Sequence, residues 1–216
     1  MRITKIGHSC LLVEEGGATI LIDPGSYSTG QDDVRGIDAI LITHEHQDHV
    51  SLDSLKKVLA NNPGAQIFTN SAVGKMLADA GIAYTKLEDG EETKVKGVSI
   101  KGFGKEHAAL HESIPVAHNV GYFVADRFFY PGDSFYIPAQ PVDILAMPAA
   151  APWMKISEGV AYATAVKPRL CFPVHDGMLR EGRLGLTYAL PERILPPLGI
   201  TFIPLAAGGV IEDKAI

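Results

Sequence analysis

Cysteine is scarce in this chain of 216 residues: Cys10 and Cys171 are the only two, far apart and in no C-x-x-C pair. That excludes a disulfide framework and a thiolate zinc knuckle, and it fits a reducing compartment. Positive charge is short as well. Nineteen Lys and Arg face 25 Asp and Glu, for a net charge of -6, and the one dense basic stretch, Leu179-Arg180-Glu181-Gly182-Arg183, is broken by an acid. A broad surface for a nucleic-acid backbone is therefore not expected. No apolar run approaches the roughly 20 residues of a membrane span, and Met1-Arg2-Ile3-Thr4-Lys5 leads into a strand-like segment rather than the apolar core of a secretion signal. A G-x-S-x-G nucleophile elbow is missing, and Gly102-x-Gly104 is an isolated glycine pair rather than a phosphate loop. So are linkers, low-complexity tracts and periodic repeats. The expectation is one domain spanning 1–216, cytoplasmic, with neither nucleic acid nor membrane as partner.

With 46% apolar and 20% charged residues, the chain can bury a sizeable core. Its first quarter reads as short strands at 3–6, 10–13, 19–22 and 39–43, with Gly16-Gly17 as a hairpin turn. Ser51 offers an N-cap to a helix whose Leu52, Leu55, Val58 and Leu59 recur at helical spacing until Asn61-Asn62-Pro63-Gly64 stops it. A strand at 66–69 and a helix at 72–80 follow. Residues 91–130 change to hairpins, with strands at 93–95, 98–103, 121–125 and 128–130. The rest reads as strand 142–147, helix 157–166, strand 170–174, a short helical turn at 191–195 and a last strand at 201–204. Strand groups interleaved with helices predict an α/β fold of two packed sheets with helices outside.

Thr43-His44-Glu45-His46-Gln47-Asp48-His49 stands out against this background. Four potential metal ligands, in the pattern H-x-H-x-D-H, close an apolar, β-branched run. A loop that merely capped the next helix would use Ser51 or Asp48 and need no imidazole. His44 and His46 alternate along an extended segment and share a face, while Asp48 and His49, at the turn into the helix, can point towards a second ion. Other candidates, His8, Asp23, His107, His111, His118, Asp133 and His175, mostly lie just past predicted strands, from where one sheet edge can deliver distant residues to one cavity.

These residues resemble the metallo-β-lactamase superfamily, whose hallmark motif His44, His46, Asp48 and His49 reproduce without departure. Leu21-Ile22-Asp23-Pro24-Gly25 resembles the early strand ending in an aspartate. Tyr130-Pro131-Gly132-Asp133-Ser134 resembles the bridging-aspartate turn, and Phe172-Pro173-Val174-His175 the last histidine. The opening Ile6-Gly7-His8-Ser9-Cys10 and the compact length look most like a small branch related to ascorbate-6-phosphate lactonases. The resemblance implies a four-layer αββα sandwich of two mixed β-sheets flanked by helices. It also implies one metal held by His44, His46 and His107, a second by Asp48, His49 and His175, and Asp133 bridging them. His107 ranks before His111 as the third histidine because it follows its strand more closely. His118 reads as an ordinary polar residue, His8 as lining or supporting the site, Asp23 as a brace for the ligand loop, and Trp153 either as a wall of the substrate pocket or as a packing residue.

Such a centre activates water for attack on a lactone, ester, amide or phosphodiester bond of a small, anionic molecule, which explains the missing serine motif. Asp133 and Asp48 are the expected catalytic carboxylates, Asp48 also as a proton carrier. Imidazole content favours two Zn2+, with Mn2+ second and Fe a further choice. Two other readings stay open: an iron-dependent dioxygenase of the same fold, and a metal-binding module without catalysis. Retention of His46 disfavours diiron electron-transfer relatives, which carry Glu there. The apolar stretch 138–152 leaves a homo-oligomer open.

Overall fold

The structure, a computed structural model, describes residues 1–180 and 182–213. The chain runs β1 (Arg2–Gly7), β2 (Cys10–Glu15), β3 (Ala18–Ile22), β4 (Ala39–Ile42), α1 (Leu52–Asn61), β5 (Gln66–Thr69), α2 (Ser71–Asp79) and β6 (Thr85–Lys86). It continues through β7 (Glu92–Val95), β8 (Val98–Phe103), β9 (Gly121–Val124), β10 (Phe128–Tyr130), β11 (Ile144–Pro148), α3 (Ile156–Val166), β12 (Leu170–Val174), α4 (Leu184–Ile194), β13 (Thr201–Phe202) and β14 (Val210–Glu212). One sheet has the order β14-β1-β2-β3-β4-β5-β6, the other β13-β12-β11-β10-β9-β8-β7.

Both sheets are mixed, and they are built alike. From β14 to β3, and from β7 to β10, neighbours are antiparallel. From β3 to β6, and from β10 to β13, they are parallel. The two halves of the chain thus share a topology that no sequence period betrays, because a sheet needs only alternation and turn chemistry to form, not repeated residues.

Alternation in the parallel strands explains the layers. Ile20, Ile22, Leu41, Ile144, Ala146 and Phe172 meet in the core between the sheets. Their chain neighbours Leu21, Ile40 and Ile42 point the other way, against Leu55 and Val58 of α1 and Val73 and Leu77 of α2. On the second sheet Leu145, Met147 and Cys171 pack against Val160 and Ala163 of α3 and Tyr188 of α4. Three apolar cores separate four layers, helix, sheet, sheet, helix, and strands covered on both faces read as unbroken apolar runs.

Three expectations need correction. The helical turn at 191–195 is the end of a longer helix, α4, which starts at Leu184 and carries Pro191 in its interior. Its buried Tyr188 and Pro191 lie three residues apart, on one face. Edge strands β6 and β14, of two and three residues, went unpredicted. The strand expected at 201–204 ends at Phe202. Elsewhere Ser51 caps α1, its side chain accepting from the Ser54 amide, and Asn70 caps α2 through the Val73 amide. Among the described residues no helix is long and apolar enough to cross a membrane.

Candidate metal centre

Parallel strands end at a common edge, and there the loops after β1, β3, β4, β8, β10, β11 and β12 deliver His8, Asp23, His44 to His49, His107, Asp133, Trp153 and His175. The chain bends sharply to do so. His8, Asp23 and His175 have φ of 40°, 46° and 61°, left-handed values that β-branched and bulky residues avoid. Sites that over-determine their backbone hold such strain. Gly25 lets the Asp23 turn lie flat on the ligand loop, since a Cβ there would sit 2.0 Å from the Asp48 carbonyl oxygen and 2.6 Å from the His49 nitrogen.

Four imidazoles share one polarity. His175 Nδ1 donates to the Ala150 carbonyl at 2.7 Å, and His107 Nδ1 to the Ala108 carbonyl at 2.5 Å. His49 Nδ1 donates to Asp23 Oδ2 at 2.6 Å. Thr43 Oγ1 spends its own proton on Asp23 Oδ2 at 2.7 Å, so it accepts from His44 Nδ1 at 3.0 Å. A neutral imidazole with its proton on Nδ1 carries a lone pair on Nε2. All four Nε2 atoms, which carry lone pairs when the rings are neutral, face the same cavity. His46, half exposed, adds Nδ1 at 3.1 Å from His44 Nε2.

Two carboxylates stand among them. Asp133 Oδ1 lies 3.1 Å from His49 Nε2, and its Oδ2 lies 3.2 Å from His107 Nε2 and 3.0 Å from His175 Nε2. Asp48 Oδ2 lies 3.2 Å from His175 Nε2 and 3.8 Å from His49 Nε2. Despite these approaches, His107 Nε2, His175 Nε2 and Asp133 Oδ1 are shut from solvent with no directed hydrogen bond. Unpaired polar atoms of this kind cost free energy unless something fills the space. Donor atoms of His44, His46 and His107, of His44, His49 and Asp133, and of His8, Asp48, His49 and His175 each fall within 4.8 Å of one another. By donor type and spacing the residues present fit divalent cations.

Electrostatics point the same way. Burial pushes His49 down, but Asp133 and Asp23 outweigh it and hold the imidazole well above its ordinary range. The same balance, against Asp133 and Asp48, places His175 at about 9. Burial would raise Asp133, yet His49 and His175 hold it well below the usual carboxylate range. Asp48 is also held low, its burial overcome by the adjacent imidazoles of His175, His8 and His49. His44, by contrast, is lowered by burial and by His49. The carboxylates thus demand positive charge at the centre, which protons or metal ions can supply.

Of the residues singled out from sequence, His8, His44, His49, His107, Asp133 and His175 are buried at this centre, with Asp23 immediately behind it. Trp153 donates from Nε1 to Asp133 Oδ2 at 3.0 Å and stacks edge-on to His107 with ring centroids 5.7 Å apart. His111 is not brought in. It is exposed and accepts from the Ser113 amide and hydroxyl. His118 pairs with Glu88 at 3.0 Å.

Supporting residues that sequence reasoning missed include Thr43, Tyr130, Asn119, Lys5 and Asp176. Tyr130 OH donates to Asp23 Oδ2 at 2.8 Å. Asn119 Oδ1 accepts from the Asp133 amide at 3.1 Å. Lys5, fully buried, donates from Nζ to Asp176 Oδ2 at 2.6 Å and to the Pro173 and Leu205 carbonyls at 2.8 and 3.1 Å, and Tyr188 OH also donates to Asp176 Oδ2. The signal was present in β1, where Lys5 takes the inward register between Ile3 and Gly7.

Comparison with known proteins gives the family and the fold. Residues 2–175 match the Beta-lactamase superfamily domain. Protein Rv0786c of Mycobacterium tuberculosis is 39% identical over 193 residues, covering 87% of this chain and 90% of its own. A UPF0173 metal-dependent hydrolase of Aeropyrum pernix is 31% identical over 150 residues, covering 62% and 61%. In fold, Igni18, described as a metallo hydrolase from Ignicoccus hospitalis, superposes with a TM-score of 0.75 at 20% identity over 99% of both chains.

Proposed function

This chain belongs to the beta-lactamase superfamily, and on that premise we propose that it is a metal-dependent hydrolase with a binuclear centre. His44, His46 and His107 would hold one divalent ion and Asp48, His49 and His175 the second, with Asp133 as the carboxylate shared by the site. The name of the Aeropyrum pernix relative supports the hydrolase reading. The observation that carries the centre is the set of inward Nε2 atoms, each ring oriented by an Nδ1 hydrogen bond, together with the orphaned atoms of His107, Asp133 and His175. Imidazole predominates, which favours zinc, while the carboxylates also suit manganese or iron.

Ions held there supply Lewis acidity and a nucleophile drawn from solvent at neutral pH. The chain's own contribution is orientation. Asp23 and Thr43 fix the tautomers of His49 and His44, and Trp153 Nε1 turns the Asp133 carboxylate into the cavity. Asp48, the more exposed of the two carboxylates, serves first as a ligand, and a proton-carrying role for it would be secondary. A cleft of about 650 Å³, lined by residues that include Lys105, His107, Ala108, Ser134, Phe135 and Tyr136, opens beside His107. Its size suits a small molecule, Phe135 and Tyr136 offer an apolar wall, and Lys105 is paired with Asp89 at the rim. A lactone, ester, amide or phosphodiester of that kind fits best.

A screen of zinc- and manganese-reconstituted protein across lactones, phosphodiesters and thioesters tests the reading, with Asp133→Ala as control. Hydrolysis lost in the variant supports it. Hydrolysis that survives the substitution arises elsewhere and overturns it.

A further inference from the structure

His8 is the fifth imidazole buried at the centre, and its polarity is the reverse of the other four. The Gly177 backbone amide donates to His8 Nδ1 at 3.0 Å. A backbone amide can only donate, so Nδ1 must carry the lone pair and the ring proton must sit on Nε2. That Nε2 lies 3.2 Å from Asp48 Oδ2. By proximity alone His8 belongs with Asp48, His49 and His175 as a ligand, for its donor atom falls within the same cluster. By tautomer it does not, because the Gly177 amide occupies Nδ1 and leaves the neutral ring no place but Nε2 for its proton, so Nε2 has no lone pair for a metal.

The surroundings hold this ring in place. His175 N donates to the His8 carbonyl at 3.1 Å, so the loops after β1 and β12 are joined by two hydrogen bonds on either side of the ring. The His8 ring packs tilted against His175 with centroids 4.2 Å apart and lies 5.0 Å from the Tyr27 ring. Gly177 has no room for a side chain, since a Cβ there would come within 2.8 Å of His8 Cβ and 3.2 Å of Nδ1.

We infer that His8 is not a metal ligand but a positioning residue, whose Nε2–H donates to the Asp48 carboxylate and fixes it at the second metal site. The inference rests on the two-metal reading. The Asp48 carboxylate is accessible to solvent, unlike Asp133, and the donor from His8 restrains its rotation. Outer hydrogen bonds of this kind are worth roughly 10- to 100-fold in metal affinity or activity.

Long-range proton–nitrogen NMR of histidine-labelled protein, before and after zinc addition, separates the possibilities, with His8→Gln used to assign the ring. The expected result is a protonated Nε2 and an unprotonated Nδ1 on His8 in both states, while the other site imidazoles change on zinc binding. Loss of the Nε2 proton on zinc addition, or a proton on Nδ1 at any stage, overturns the inference. If no imidazole responds to zinc, the two-metal reading fails, and the tautomer of the metal-free protein still decides the polarity of His8. Metal titration gives the second readout. His8→Ala should bind the same number of zinc ions as the parent but hold one of them about 10- to 100-fold more weakly, and His8→Gln, whose amide can reach Asp48, should recover most of that affinity. Loss of one zinc equivalent in both variants would make His8 a ligand.

Discussion

Asp23 Oδ2 lies 2.6 Å from His49 Nδ1, and both side chains are sealed from solvent. The same carboxylate accepts from the Thr43 amide and hydroxyl at 2.8 and 2.7 Å and from Tyr130 OH at 2.8 Å. One buried aspartate thus orients a ligand-loop imidazole and ties β10 of one sheet to the end of β4 in the other. Asp23→Asn keeps a residue tolerant of the left-handed backbone but its amide cannot accept at every position. Zinc affinity at the second site should fall by about 10- to 100-fold, with the protein still folded. Competition with a chelator and a thermal melt measure the two effects separately.

Gly25 makes a steric prediction. In Gly25→Ala the added methyl would meet the Asp48 backbone at 2.0 Å, and neither strand end can retreat without moving the ligand loop. Overpacking of this sort costs about 1–3 kcal/mol. The expected outcome is a lower melting temperature together with loss of the metal held by Asp48 and His49, read by elemental analysis.

The third histidine is settled by a pair of variants. His107→Ala should lose a metal ion and with it activity, because its Nε2 faces Asp133 at 3.2 Å. His111→Ala should keep both, since that ring is engaged with Ser113 away from the centre. The opposite pattern would exchange their roles.

Stability of the metal-free protein should depend on pH in a definite direction. His175 rises from 6.5 to about 9 on folding, so its contribution is fully present below pH 6.5 and disappears as pH climbs through 9. The rise corresponds to about 3 kcal/mol at most. Asp133 and Asp48 are depressed, and their contribution is lost as pH falls below the ordinary carboxylate range. Chelator-treated protein should therefore weaken between pH 6.5 and 9.5 in denaturant unfolding. Zinc-loaded protein should not, because the metal replaces the proton on His175.

Trp153 is the only tryptophan, and its ring lies 5.7 Å from His107 and 6.1 Å from His175. Cobalt binding should quench its emission in proportion to occupancy. Trp153→Phe keeps the packing on Phe135 and removes the donor to Asp133. Activity should drop by about 10-fold or more, with little change in melting temperature.

Much of this was legible in the chain. His44 to His49, Asp133 and His175 announce themselves because each follows an apolar strand, and β5, β8, β10 and β12 match their expected bounds residue for residue. Local sequence does not carry what pairs across the fold. Asp176 meets Lys5 from 171 positions away, and the His8 tautomer depends on an amide 169 residues on. Pro191 concealed α4, since a proline ordinarily ends a helix, and β6 and β14 are too short for any period. The duplicated sheet topology is likewise a property of hydrogen-bond order and not of residue identity.

The two-metal centre is tested most directly by the metal content of protein reconstituted with zinc and desalted. About two equivalents per chain are predicted, falling to about one in His107→Ala. Less than one equivalent in the parent, with no gain on reconstitution, would contradict the account.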